Sequence, residues 1–304
     1  MLWLSCISEK EMIIIRLKGG LGNQMFQFAI GHIMSIKNNC SLKIDTQFFD
    51  LSKTDANVTA RDFELDIFSI DYVLANQNDL LTYNKLSVVN RIKKKLGFNY
   101  PKKYNQSSSE YQKDLFLFKP PVFINGYFQS YKYYQGYEKN LKELFSFSVN
   151  VFQEKNLEIL NLIETATTVS VHIRRGDYVK SLKVSQKHGV CSIEYYLNAI
   201  KLLSNKYDNL KFIFFSDECD WAINTFSHIA IDKIFVNHNI GNESWKDMCL
   251  MSKCNHNIIA NSSFSWWAAW LNTYPEKTVI TPKRWFTNSN KNTNDLIPLE
   301  WIQL

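Results

Sequence analysis

No apolar run of the roughly 18 residues needed to cross a bilayer occurs in this 304-residue chain, so no membrane-spanning helix is expected. Its six cysteines (Cys6, Cys40, Cys191, Cys219, Cys249, Cys254) include no Cys-x-x-Cys pair. That argues against a zinc site and against a dense disulfide framework, and it favours reduced thiols in the cytosol. The phosphate-binding glycine motifs are incomplete. Gly20 and Gly22 match the start of a dinucleotide fingerprint, but Met25 stands where its third glycine belongs, and no G-x-x-x-x-G-K-[ST] loop exists. An Asp-x-Asp pair for a divalent ion is missing as well; Asp217-Glu-Cys-Asp220 comes nearest. The leading Met-Leu-Trp-Leu-Ser-Cys-Ile-Ser8 has no basic region and too short an apolar run for a signal peptide. Met12, where the first clear strand opens, is an alternative start.

What remains is an ordinary globular composition, 45% hydrophobic and 21% charged, long enough for two domains. The net charge of +6 favours anionic partners such as nucleotides or a membrane surface, and by itself gives no case for nucleic acid.

The central stretch is Val169-Ser-Val-His-Ile-Arg-Arg-Gly-Asp177. Its alternation has the period of a strand, which sends His172 and Arg174 to one face. Burying a guanidinium in mid-sheet is costly, so both residues belong near the strand's carboxyl end, where open α/β sheets bind ligands. Arginine's planar fork suits a phosphate group, which makes this an anion site for a nucleotide diphosphate; a structural Arg–Asp ion pair fits the same residues.

Met12–Leu17 reads as a buried parallel strand, followed by the glycine-rich turn Lys18–Gln24 and an amphipathic helix to about Lys37, with Asn23 as its N-cap. The turn either brings backbone N–H groups and the amides of Asn23 and Gln24 to a ligand or merely packs helix on strand. Further strands are expected at 41–45, 121–129, 210–217, 233–236, 257–260 and 277–281, with helices at 137–145 and 154–165. Strand alternating with helix implies parallel sheets covered on both faces. Arg91–Lys95 and Pro101–Lys103 form a basic stretch, read as a solvated loop or, less commonly, a membrane-surface or phosphate patch. In Asn261-Ser-Ser-Phe-Ser-Trp-Trp-Ala-Ala-Trp-Leu-Asn272, Ser262 or Ser263 can cap a helix and leave N–H groups for a phosphate. Phe264, Trp267, Ala268 and Leu271 form its buried stripe, and Trp266 and Trp270 pack on a neighbouring element.

Three segments together resemble the signature blocks of α-1,2-fucosyltransferases, glycosyltransferase family eleven, which includes bacterial O-antigen and capsule enzymes. They are Arg16-Leu-Lys-Gly-Gly-Leu-Gly-Asn-Gln-Met-Phe-Gln27, His172-Ile-Arg-Arg-Gly-Asp177 and Asn261-Ser-Ser-Phe-Ser-Trp-Trp267. The arginine block is shared with α-1,6- and protein O-fucosyltransferases; the other two narrow the likeness.

The resemblance implies an α/β, GT-B-like fold of two Rossmann-like lobes facing a cleft, residues 1–150 on the acceptor side and 151–304 binding GDP-L-fucose. It puts His172 and Arg174 on the GDP phosphates with Ser262 and Ser263 nearby, and counts Arg175 among the substrate-binding residues. Asp217 matches a carboxylate that holds nucleotide or local fold, although Glu218 replaces the second aspartate common there. Gly22, Asn23 and Gln24 would face the cleft.

The reaction implied is inverting, metal-independent transfer from GDP-β-L-fucose to the 2-hydroxyl of a terminal β-galactoside, with no cofactor. A lipid-linked acceptor would bring a cytoplasmic protein to the inner face of the membrane. Arg174 stabilises the departing GDP electrostatically. Asp177 is the base suggested by position, yet two neighbouring arginines favour its charged form and weaken its basicity, so orienting them is an equal role. Glu64 and Asp66 are further carboxylates for that task. The alternatives are another fucosyl linkage, α-1,6 or protein O-fucosylation, and a non-catalytic protein that binds GDP-sugar or glycan.

Overall fold

A computed structural model describes residues 12–54, 59–84, 86–176, 189–287 and 292–304. The chain divides into two compact units, 1–146 with 294–296 and 147–293 with 297–304, where the sequence suggested a single change at 150/151.

The first unit runs β1 (Met12–Arg16), α1 (Leu21–Asn38), β2 (Ser41–Asp45), α2 (Gln47–Thr54), β3 (Val73–Leu74), α3 (Gln77–Asn84), α4 (Val88–Lys95), β4 (Lys102–Asn105), β5 (Val122–Asn125) and α5 (Glu138–Leu144). Its sheet has the order β3-β2-β1-β5-β4, with parallel pairing throughout. The β-branched run Ile13-Ile14-Ile15 is fully buried, as expected of a central parallel strand covered on both faces. Met25, Phe26, Phe28, Ala29, Ile30 and Ile33 of α1 bury with it.

The second unit runs α6 (Glu154–Thr165), β6 (Thr168–Ile173), α7 (Ile193–Lys206), β7 (Lys211–Ser216), α8 (Cys219–Phe226), β8 (Lys233–Val236), α9 (Trp245–Lys253), β9 (His256–Ile258), α10 (Ser263–Leu271), β10 (Val279–Thr281) and β11 (Ile302–Gln303). All pairs are parallel in the order β11-β10-β9-β6-β7-β8. Read from β8, this is the doubly wound order 3-2-1-4-5-6, and it reverses between β6 and β9. Both units are therefore Rossmann-like α/β layers, as the alternation of strands and helices implied.

Three expectations need correction. Helix α1 starts at Leu21 with Gly20 as its N-cap, so Asn23 lies inside the first turn and does not cap it. The basic stretch is partly helix α4, with no residue buried, where a loop was the commoner reading. Helix α10 is buried from Ser265 to Leu271 on all sides, not along one stripe. Trp266 stacks on Trp270 with centroids 6.1 Å apart and meets Trp301 at 5.6 Å, so the tryptophans do serve packing.

Candidate active site

Strand β6 is the middle of its sheet and is buried along its whole length. Register dictates what meets its end. Ile173 pairs with Ser216 of β7, so Asp217, one residue on, arrives beside Arg174 as the chain leaves the sheet. One carboxylate then takes three donors. Asp217 Oδ1 accepts from Arg175 N at 2.9 Å, Oδ2 accepts from Gly176 N at 2.9 Å, and Arg174 Nη1 approaches Oδ2 at 3.1 Å.

Gly176 is required for this approach, since a Cβ there would stand 2.6 Å from Oδ2. Arg174 keeps 24% of its side chain accessible, a fixed cation at the strand's carboxyl end. Arg175 points elsewhere. Its guanidinium carbon sits 3.7 Å from the centroid of the Trp221 ring and its Nε lies 3.4 Å from Glu218 Oε2. Stacking and the ion pair together give Arg175 a holding role, and Glu218, which replaces the second aspartate, is its partner.

Across the reversal point, the chain after β9 continues through Ile259 and Ala260 to Asn261. This residue is buried, and its Nδ2 donates to Gly189 O at 3.2 Å and Trp285 O at 3.1 Å, gathering three segments. Ser262 is the N-cap of α10, its hydroxyl accepting from Phe264 N at 3.3 Å; Ser263 opens the helix. The positive end of α10 thus lies at the same sheet edge as Arg174. His172 joins the two halves, with its ring 5.7 Å from that of Phe264. Burial, and then the Arg174 charge, press its pKa down to about 3, so the imidazole is neutral and offers a hydrogen bond, not a charge. Its Nδ1 is buried and meets no partner among the described residues.

In the first unit the strand order reverses between β1 and β5. Gly19, at φ +80°, makes the turn after β1 that a side chain would strain. Buried amides hold this turn. Gln27 accepts from Lys18 N and donates to Lys18 O, while Gln24, wholly buried, donates to Gly19 O and Asp62 O and accepts from Glu64 N. Gln24 therefore builds the loop; it was expected to touch a ligand, and its amide is already spent. Gly22 is buried beside it.

Asn23 is half-buried and accepts from Gln129 Nε2 at 2.7 Å, across the reversal point. Lys18 Nζ donates to Asn125 Oδ1 at 3.0 Å and lies 4.6 Å from the Tyr127 ring centroid. The Glu64 carboxylate comes within 3.7 Å of where a Cβ on Gly20 would sit, whereas Asp66 accepts from the Tyr72 hydroxyl and helps push that phenol up to about 12.

Asp177 lies outside the described residues. Sequence reasoning missed Lys18, Asn125 and Gln129 as members of this edge, although the polar end of the 121–129 strand was their signal. It also missed Asp247, whose pKa burial raises to about 7 against the bond it accepts from Asn239 Nδ2 at 2.7 Å. Among the described residues no group of three or more His, Cys, Asp or Glu is arranged to hold a metal, and no helix is long and apolar enough to cross a membrane.

Residues 12–304 match the family model described as glycosyl transferase family 11. An alpha-1,2-colitosyltransferase from Escherichia coli is 34% identical over 295 residues, covering 97% of this chain and 99% of that protein. The O-antigen biosynthesis glycosyltransferase WbnK, also from Escherichia coli, is 35% identical over 307 residues, covering 95% and 99%. A galactoside 2-alpha-L-fucosyltransferase, Sec1 of Mus musculus, is 28% identical over 155 residues, 49% of this chain and 42% of that one.

Proposed function

This chain belongs to glycosyl transferase family 11, and we propose that it transfers L-fucose from GDP-β-L-fucose to the 2-hydroxyl of a terminal β-galactoside in a bacterial surface glycan. The observation that carries the reading is Arg174, held by Asp217 just past the central strand, where the strand order reverses toward the capped end of α10. Doubly wound sheets bind nucleotides at such a point.

Breaking the sugar–phosphate bond builds negative charge on the leaving diphosphate. Arg174 and the α10 N-terminus oppose that charge, a role a divalent ion fills elsewhere, so transfer proceeds without metal. His172 adds a neutral hydrogen bond. Asp217 and Arg175 are positioning residues. A single displacement by the acceptor oxygen inverts the donor's β-linkage to α.

The second unit is the donor-binding one in this reading. The first, with Lys18, Asn23, Asn125 and Gln129 along its loop edge, binds acceptor. Asp177 and Glu64 are the carboxylates proposed for the hydroxyl's proton; whichever serves as base loses kcat with KM kept when changed to its amide.

The name of the 34%-identical relative favours a second donor, a colitosyl nucleotide. The test supplies GDP-fucose and GDP-colitose to the purified protein with a panel of β-galactoside disaccharides. It follows GDP release and assigns the linkage by NMR. An α-1,2-fucosylated product supports the proposal. Preference for colitose corrects the donor, another linkage overturns the acceptor position, and GDP binding without turnover leaves a non-catalytic protein.

A further inference from the structure

Helix α4 is locally well specified, yet none of its residues is buried among the described residues. Ser87 caps its start, accepting from Asn90 N at 3.2 Å. At its end Phe98 N bonds Lys93 O at 2.9 Å and Gly97 N bonds Lys94 O at 3.3 Å, with Gly97 at φ +76°, a Schellman motif.

An isolated helix of eight residues is unstable in water, so one built with two caps and no buried residue calls for a surface to lie on. At 100° per residue Val88, Ile92, Leu96 and Val89 share one stripe, with Lys93 on one flank, Lys95 and then Arg91 on the other, and Asn90 and Lys94 opposite. Val88, Val89, Ile92, Leu96 and Phe98 are 52–68% exposed. Behind them Tyr100 has Lys94 Nζ 5.8 Å and Lys102 Nζ 5.3 Å from its ring centroid. From Leu80 to Ser109 the chain has seven Lys and Arg and no Asp or Glu.

We propose that α4, with Phe98, Tyr100, Lys102 and Lys103, is a docking surface for an anionic lipid bilayer. The apolar stripe enters the headgroup boundary, the flanking lysines extend to lipid phosphates, and the ring between two lysines sits at the interface. Unbroken positive charge around an apolar stripe matches a negatively charged lipid surface. A second copy of this chain would bring the same lysines against one another. The connection from α4 enters β4 at its N-terminal end, the sheet edge away from the glycine loop, so docking leaves that loop uncovered. This inference does not depend on the transferase reading.

The test is co-sedimentation of the full chain with phosphatidylglycerol–phosphatidylethanolamine vesicles and with phosphatidylcholine vesicles, at low and high salt. Binding to the anionic vesicles, weakened by salt, is expected. It should fall roughly tenfold or more both in Lys93→Glu/Lys94→Glu/Lys95→Glu and in Ile92→Glu/Leu96→Glu. Because these side chains are exposed, the unfolding midpoint of both variants should match the wild type. Equal binding to neutral vesicles, no binding at all, or variants that bind like the wild type would overturn the proposal. So would a concentration-dependent dimer in sedimentation velocity that Ile92→Glu abolishes while vesicles are ignored.

Discussion

Gly176→Ala tests the geometry of the arginine clamp directly. The new Cβ would lie 2.6 Å from Asp217 Oδ2, about 0.7 Å short of the roughly 3.3 Å at which carbon meets oxygen. If the carboxylate retreats by that amount, its 2.9 Å bond from Gly176 N stretches beyond hydrogen-bonding range, and the Arg174 contact at 3.1 Å loosens with it. A hydrogen bond to a charged group contributes about 1.5–3 kcal/mol, and the partial exposure of both side chains favours the lower end. A loss of about 2 kcal/mol corresponds to roughly a 30-fold fall in kcat/KM for the donor, read by GDP release. The decisive measurement is the double-mutant cycle with Asp217→Ala. Once the carboxylate is gone the methyl group has nothing to displace, so Gly176→Ala should be nearly silent in that background, in unfolding free energy as well as in turnover. Additive penalties in both readouts would refute the clamp.

Three further outcomes follow from the same geometry. Asp247 titrates near pH 7 in the fold against 3.8 for the free group, so the folded state holds the extra proton between those values; stability falls as pH rises through that window, by up to about 4 kcal/mol. In Asp247→Asn the urea midpoint should lose this slope, and an unchanged slope would clear Asp247. His172 is the opposite case. Its pKa drops from 6.5 to about 3, so its contribution is complete above pH 6.5 and is lost as pH falls toward 3. His172→Phe should flatten that acid limb of an unfolding curve and weaken GDP binding, and a variant with undiminished GDP affinity would remove His172 from the donor site. Turnover in excess EDTA should equal that in buffer; loss in EDTA with recovery on Mn²⁺ would replace Arg174 by a metal in the leaving-group role.

How much of this was legible in the chain varies with how local the cause is. The β-branched alternation around His172 located β6 and put Arg174 at its end because strand period and the penalty for a buried guanidinium are properties of the segment itself. A serine cap for α10 was legible for the same reason, as Ser262 or Ser263, and the structure selects Ser262. The roles of Asn23 and Gln24 were not, because either amide suits a glycine turn, and the choice was made by Asp62 and Glu64 arriving from elsewhere to use up Gln24. The α4 helix was partly hidden by its lysine run, although Ser87 and Gly97 are cap residues at helical spacing. Strands β4 and β11 lie at the margins of their sheets and exist through pairing with β5 and β10, which no short window of sequence contains. The burial of Asp247 is likewise tertiary.

The reversal of strand order in the second unit also sets when its site can form. Arg174 and Ser262 come to the same sheet edge only after β9 slips in beside β6, a pairing that joins Thr168 to Asn255 across 87 positions of chain. Strands β7 and β8 can assemble on the other flank of β6 long before that, as successive crossovers. Closure of the proposed anion site is thus a late, high-contact-order event, and a nascent chain stopped short of β9 exposes an unfilled flank of its central strand. A nucleotide present during refolding would find nothing to bind until the sheet was nearly complete, so it should slow unfolding far more than it speeds folding.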